Sequence, residues 1–198
     1  MWKDAITQFG YFVFSPLFSS GELEPLLDAF AQPGLARSRA GIRHALSIEA
    51  VSNIARDPRL LGIAKEVLGP AAAPYHATLF EKSPDANWLV VWHQDTALPL
   101  RERKDKAGWG PWSVKEGINY AHAPATALSN VLALRLHLDD STKDNGPLRV
   151  LMGTHIGACL RTTLCTNYLN RSHPWIASLK AAVWSQCVPF WFTHRPNR

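Results

Sequence analysis

The run Trp88-Leu89-Val90-Val91-Trp92 is apolar, aromatic and β-branched, and it ends in His93-Gln94-Asp95. Such residues favour a strand. In a strand, positions i and i+2 point to the same side, so His93 and Asp95 can aim an imidazole and a carboxylate at one point. That is two thirds of the 2-His-1-carboxylate arrangement that holds non-haem Fe(II) and keeps other positions open. A chain built around this pair needs a β scaffold, because only the two-residue period brings the pair together.

The rest of the chain can supply that scaffold. Its 198 residues suffice for one domain with a core. An apolar content of 46% with 19% charged residues is that of a globular protein. No apolar run reaches membrane-spanning length. The N-terminus, Met1-Trp2-Lys3-Asp4-Ala5, lacks the basic start and apolar core of a signal peptide. Cys159, Cys165 and Cys187 match no zinc spacing and no disulfide framework. A cytoplasmic location is expected, with no membrane partner.

Taken along the chain, Phe9–Phe14 reads as a short strand. Ser20 caps a helix whose apolar face is Leu23, Leu26, Leu27 and Phe30. Residues 31–47 read as a loop and Ile48–Asn53 as a helical turn. Asp57-Pro58 opens a helix with Leu61, Ala64 and Leu68 on one face, stopped by Gly69-Pro70. Ala77–Lys82 reads as a strand, Ser83–Ala86 as a turn, and Asn87–Gln94 as the strand above. Thr96–Asn130 reads as one long irregular loop, a length that usually marks function. Val131–Leu138 alternates as a strand, with Leu132, Leu134, Leu136 and Leu138 on one face and Arg135 and His137 on the other. Pro147–Met152 is a further strand after the Asn145-Gly146 turn. The expected fold is mostly β with α: a barrel or jelly roll with N-terminal helices.

Three stretches together resemble the phytanoyl-CoA dioxygenase family of Fe(II)/2-oxoglutarate oxygenases. They are Phe80-Glu81-Lys82 with Trp92-His93-Gln94-Asp95, then Leu134-Arg135-Leu136-His137-Leu138-Asp139-Asp140, then Asp144-Asn145-Gly146-Pro147-Leu148-Arg149-Val150 with Gly153-Thr154-His155. The resemblance covers residues 1–155. Met152 departs from it, since the family usually has Pro before that Gly. It implies a double-stranded β-helix (jelly roll), incomplete at the C-terminus. It also implies Fe(II) as cofactor and 2-oxoglutarate as co-substrate, whose oxidative decarboxylation is coupled to hydroxylation of a C–H bond in a small organic substrate. His93 and Asp95 fall at two of the three metal-ligand positions. The family's third ligand, a distal His, lies some forty residues beyond the Gly-Thr-His stretch. An Arg about ten residues later pairs with 2-oxoglutarate. The bidentate fork of Arg suits a carboxylate.

The tail does not continue the pattern. Residues 156–198 hold five of the 21 Lys and Arg residues and none of the 16 acids, with all three Cys and three of eight Trp. At an upstream acid frequency of about one in ten, such a run has odds of roughly one in a hundred. The net charge of +5 is therefore a property of the tail rather than a nucleic-acid footprint. Back-translating Ala181–Arg198 and shifting the frame by one nucleotide permits G-G-V-V-A-M-R-P-L-L-V-H-A-S-S-K-S. Degenerate bases allow choice in much of this, but Phe190-Trp191-Phe192 forces Leu-Val. The same shift on Gly157–Lys180 restores acidic residues. The chain thus reads as a dioxygenase-like domain over 1–155 and an out-of-frame tail over 156–198. The lost ligand falls at the codons of Phe192-Thr193. The 2-oxoglutarate Arg falls beyond residue 198. His194, with His173 as the other candidate, is the late His left to stand in for that ligand. On this reading the tail's Trp and Phe are exposed or collapse without order, and neighbouring strands keep bare edges.

The other site residues have two readings each. Lys82, Asn87 and Arg135 face the co-substrate, or Lys82 and Asn87 are a solvated strand end and Arg135 pairs with His137 in the core. Asp139 and Asp140 form a turn, and His155 is structural. The chain is then a dioxygenase that lacks part of its site and is inactive. The alternative is a non-catalytic jelly-roll binding protein with a degenerate metal site. Neither reading fixes the substrate or the oligomeric state.

Overall fold

A computed structural model describes residues 1–38, 41–82, 93–140, 148–156, 175–176 and 185–194. Five helices and ten strands fall in these residues: α1 (Trp2–Phe9), α2 (Ser20–Ala31), β1 (Gly41–Ile42), α3 (Glu49–Ala55), α4 (Pro58–Leu68), β2 (Ala72–Ala77), β3 (Leu79–Lys82), β4 (Ala97–Leu100), β5 (Trp112–Lys115), β6 (Ile118–His122), α5 (Ala125–Leu128), β7 (Val131–His137), β8 (Arg149–Val150), β9 (Trp175–Ile176) and β10 (Ser185–His194). The expected strand over 87–92, the turns at 83–86 and at Asn145-Gly146, and His173 lie outside the described residues.

Two expected helices form for the expected reasons. In α2 the cap is Ser19 rather than Ser20: the Glu22 carboxylate accepts from the Ser19 N–H and hydroxyl, both at 2.8 Å. Leu26 and Phe30 are buried, while Leu27 stays partly exposed at the edge. Asp57 caps α4 by accepting from Arg59 N–H at 2.8 Å, with Pro58 in the first turn. The helical turn after Ile48 becomes the full helix α3.

Three expectations need correction. Residues 11–14 form no strand. The chain before them is α1, ended by Gly10 at φ 84°, and Phe12 and Phe14 pack ring to ring at 4.8 Å instead of joining a ladder. Residues 96–130 are not one loop. They build a three-stranded sheet of order β4-β6-β5, plus α5. Third, part of the tail is not left out of the fold. β10 pairs with β7 from Cys187 to Thr193 along one side. Along its other side it pairs with β3 and then β2. Phe190 and Phe192 are fully buried.

β10 is therefore central to a five-stranded sheet, and all described pairings are antiparallel. One face of this sheet packs on the helices. Phe190 and Phe192 register with Leu134 and Leu132 and join Leu26, Phe30, Val51, Leu60 and Ala64 in the core. Residues one step off that phase, Trp191, Ala133, Arg135 and His137, lie on the opposite face. Gly41 is required where β1 meets β3, because a Cβ there would lie 2.1 Å from Leu79 O.

Candidate functional site

His93 and Asp95 sit just before β4, in a segment with no strand assignment. Strand alternation does not bring them together here, yet their side chains meet: His93 Nε2 lies 3.4 Å from Asp95 Oδ1. Both are exposed, at 53% and 79%. Thr96 anchors the segment. It is buried, its hydroxyl lies 2.6 Å from His122 Nδ1, and its carbonyl accepts from Ala123 N–H at 2.8 Å. The pair is thus tied to the end of β6, next to the Ala97–His122 register.

Tyr120 lies two residues before His122 on β6. It carries the connection to the helix-free face of the large sheet. Its ring is 6.1 Å from His44 and 6.2 Å from His76, and His76 is 4.8 Å from Trp191. A register shift between Trp191 and Phe192 skips Tyr75, a bulge that breaks the alternation. Tyr75 and His76 are consequently both half-buried neighbours of this cluster. Burial lowers the His76 pKa to about 4, helped by His44, Arg43 and Lys115. Its Nε2 lies 3.2 Å from the Thr78 hydroxyl. Burial pushes the Tyr75 phenol up. Among the described residues, the buried atoms without a hydrogen-bond partner include His44 Nε2, Tyr75 OH, Arg135 Nε and His137 Nδ1. Orphaned polar atoms inside a fold are costly unless something else satisfies them.

The predicted site residues divide accordingly. His93 and Asp95 come together. Arg135 and His137 face the interior as a pair. Lys82 ends β3 with its backbone in register with Ser185. His194 ends β10 in register with Ala72. Asn87 lies outside the described residues. Asp139 and Asp140 follow β7 outside any strand. His155 is structural, as expected: its Nε2 donates to Thr7 O at 3.1 Å, and Gly153 N–H donates to Phe9 O, so the Gly-Thr-His stretch covers the end of α1. His44, Tyr75, His76 and Tyr120 were not foreseen. The signal for two of them is Tyr75-His76 interrupting an otherwise small-residue strand. An open surface groove of about 670 Å³ is lined by Arg103, Trp109 and Trp112 among others. It includes none of the cluster's residues.

One imidazole and one carboxylate suit Fe(II). Among the described residues, however, no group of three His, Cys, Asp or Glu could hold a metal ion. The fit to a facial triad is therefore incomplete.

Residues 6–163 match the family Phytanoyl-CoA dioxygenase (PhyH). The chain belongs to that family. It is 27% identical over 127 residues to L-proline trans-4-hydroxylase from Streptomyces griseoviridis, a match covering 64% of this chain. The chain spans 39% of the length of that hydroxylase. In fold it is similar to EctD from S. alaskensis, whose structure contains 2-oxoglutarate and 5-hydroxyectoine: TM-score 0.64, 15% identity, 96% of this chain and 74% of EctD. It is also similar to HygX from Streptomyces hygroscopicus, solved with nickel and 2-oxoglutarate: TM-score 0.60, 14% identity, 97% of this chain and 85% of HygX. The architecture is mixed α and β with antiparallel sheets. No helix among the described residues is long and apolar enough to cross a membrane.

Proposed function

We propose that this chain carries the double-stranded β-helix of a non-haem Fe(II)/2-oxoglutarate-dependent dioxygenase that hydroxylates a small organic molecule. His93 and Asp95 are its metal ligands, and Lys82, Asn87 and Arg135 face the co-substrate. Residues 156–198 are read out of frame, so the distal His and the 2-oxoglutarate Arg are missing and the chain does not complete the reaction. The observation that carries this reading is the His93–Asp95 pair, 3.4 Å apart in a family member, with no third donor beside it among the described residues. The family match ending at residue 163 supports the reading of the tail. His194 is not the third ligand on this account; it is a by-product of the shifted bases. L-proline, the substrate named for the hydroxylase relative, is the first small molecule to try.

A second reading keeps the fold and drops the chemistry: a binding protein with a degenerate metal site. The orphaned interior donors favour ligand binding of that kind. Fe(II) titration followed by succinate assay separates the possibilities. The dioxygenase reading expects Fe(II) uptake that is weakened in His93→Ala and Asp95→Ala, with no succinate. The binding-protein reading expects no uptake that depends on either residue. Iron-dependent succinate would overturn the claim of inactivity.

A further inference from the structure

The small sheet has two outer strands, β4 and β5, on either side of β6. Pro99 blunts β4, since proline brings no N–H to a ladder. β5 has no proline, and among the described residues nothing pairs with its outer side. Its register is fixed by the two-residue turn Glu116-Gly117, whose φ values of 51° and 78° are both positive, as a primed hairpin turn requires. Gly110 N–H donates to His122 O at 2.8 Å, and His122 N–H donates to Pro111 O at 3.3 Å. Counting back in twos, Tyr120 and Ile118 are the β6 residues that bond to β5, with Ser113 and Lys115 as their partners. Trp112 and Val114 therefore aim their backbone N–H and C=O groups outward. Their side chains share one face, and Val114 is 67% exposed.

The open groove of about 670 Å³ lies at the start of this edge. Trp109 and Trp112 give it flat apolar walls, and Arg103 and Lys106 line it as well. The Arg103 guanidinium is 5.7 Å from the Trp112 ring centre, a cation–π distance. The exposed run Arg101-Glu102-Arg103-Lys104-Asp105-Lys106 holds four cations and two acids. Both acids are taken, Asp105 by Arg103 at 3.5 Å and Glu102 by Lys104 at 2.5 Å. Glu116, at the far end of the edge, pairs with Arg43 at 3.4 Å. Among the described residues Arg101 and Lys106 have no acid within ion-pair reach. The edge thus joins outward backbone groups, apolar rings and surplus positive charge. An extended peptide satisfies the backbone groups, and acidic side chains match the charge. A second copy of this chain fits less well, because antiparallel pairing of two β5 strands sets Lys115 of each opposite Trp112 of the other, where positive charge already gathers. A single-stranded nucleic acid would use the rings and cations but offers the edge no alternating donors and acceptors.

We propose that the outer edge of β5 and the Trp109–Trp112 groove beside it bind an extended acidic segment of another protein, which adds to the small sheet as a fourth strand. Its backbone pairs with Trp112 and Val114. Its apolar side chains lie along the face that those two residues share, and its carboxylates meet Arg101 and Lys106. The surface is separate from the His93–Asp95 pair and from the interior of the large sheet, and binding there requires neither metal nor co-substrate.

The test uses the purified full chain and a fluorescein-labelled peptide of about eight residues that alternates valine with glutamate. Fluorescence anisotropy is expected to show saturable binding that weakens as salt rises. The same peptide with lysine for glutamate should not bind. A glutamate peptide N-methylated at every other amide keeps its charge but loses the ladder, and should bind at least about tenfold more weakly. In the protein, Val114→Pro removes one outward N–H at an edge position where proline is tolerated, and Lys106→Glu reverses one charge of the groove. Each should weaken binding about tenfold or more while the protein melts as before. The two control peptides act on the ligand, so they decide the matter even where a variant folds poorly. The proposal is overturned by absence of saturable binding, by equal binding of the lysine or the N-methylated peptide, or by binding unchanged in natively melting Val114→Pro and Lys106→Glu. A dimer in sedimentation that Val114→Pro dissolves would give the edge to a second copy, and tighter binding of oligothymidylate than of the glutamate peptide would give the groove to nucleic acid. Either result overturns it too.

Discussion

At the scale of single residues, the fold holds two neutral histidines inside. His76 and His137 both titrate near pH 4, chiefly because burial disfavours their charged forms. In the unfolded chain each titrates near 6.5. The unfolded state therefore binds more protons between these values. Stability is fully present above about pH 6.5 and is lost as pH falls toward 4. Urea unfolding at pH 7 and pH 5 should differ by on the order of 1–3 kcal/mol, and His137→Gln should shrink that difference. Glu22 acts in a lower window. Its hydrogen bonds to Ser19 and Arg59 bring its pKa to about 2, so what it contributes persists until pH falls through the range from 4.5 to 2. Thr96 offers a separate check. Its buried hydroxyl meets the exposed His122 ring in a part-buried hydrogen bond, so Thr96→Val should cost about 1 kcal/mol in denaturant unfolding.

Legibility at this scale follows from spacing. That His93 and Asp95 meet was legible from their spacing of two, and their side chains lie 3.4 Å apart, though outside any strand. Arg135 and His137 were readable because β7 alternates for seven residues. The His44–His76–Tyr120 cluster was not, because it joins positions far apart in sequence through a bulge that hides the strand period.

Among the elements, β10 matters most. Phe190 and Phe192 sit fully buried between the large sheet and the helices. Phe190→Ala or Phe192→Ala should each cost about 3–5 kcal/mol, read from the chemical denaturation midpoint. Val114→Thr, at a position 67% exposed, should change it little. The run Val188-Pro189-Phe190-Trp191-Phe192-Thr193 is aromatic and β-branched enough to make a strand whatever its origin. That is why the expectation of a disordered tail failed: the charge break at residue 155 describes composition, while strand pairing responds to local propensity and to an open slot between β7 and β2. The helices α2 and α4 were legible because capping residues and a helical apolar period agree. The sheet over residues 97–122 was not. Its strands are four or five residues long, and they flank a charge run that reads as a solvated loop.

For the molecule as a whole, the family and the donors found among the described residues pull apart. The PhyH match and the two solved folds describe a scaffold for a metal and a 2-oxo acid. The described residues supply two donors, an orphaned Arg–His pair and a central strand whose site face carries Trp191 and Thr193. On the proposed reading, that mismatch comes from a one-nucleotide shift after about residue 155. The reading predicts that correcting the frame restores a His within the strand that β10 now provides, and with it the third donor. The deciding measurement is Fe(II)-dependent succinate formation from 2-oxoglutarate by this chain and by its frame-corrected counterpart, side by side. The account predicts turnover in the corrected protein that is lost in its His93→Ala variant, and none in this chain. Iron-dependent succinate from this chain, or a corrected frame interrupted by stop codons, would contradict it.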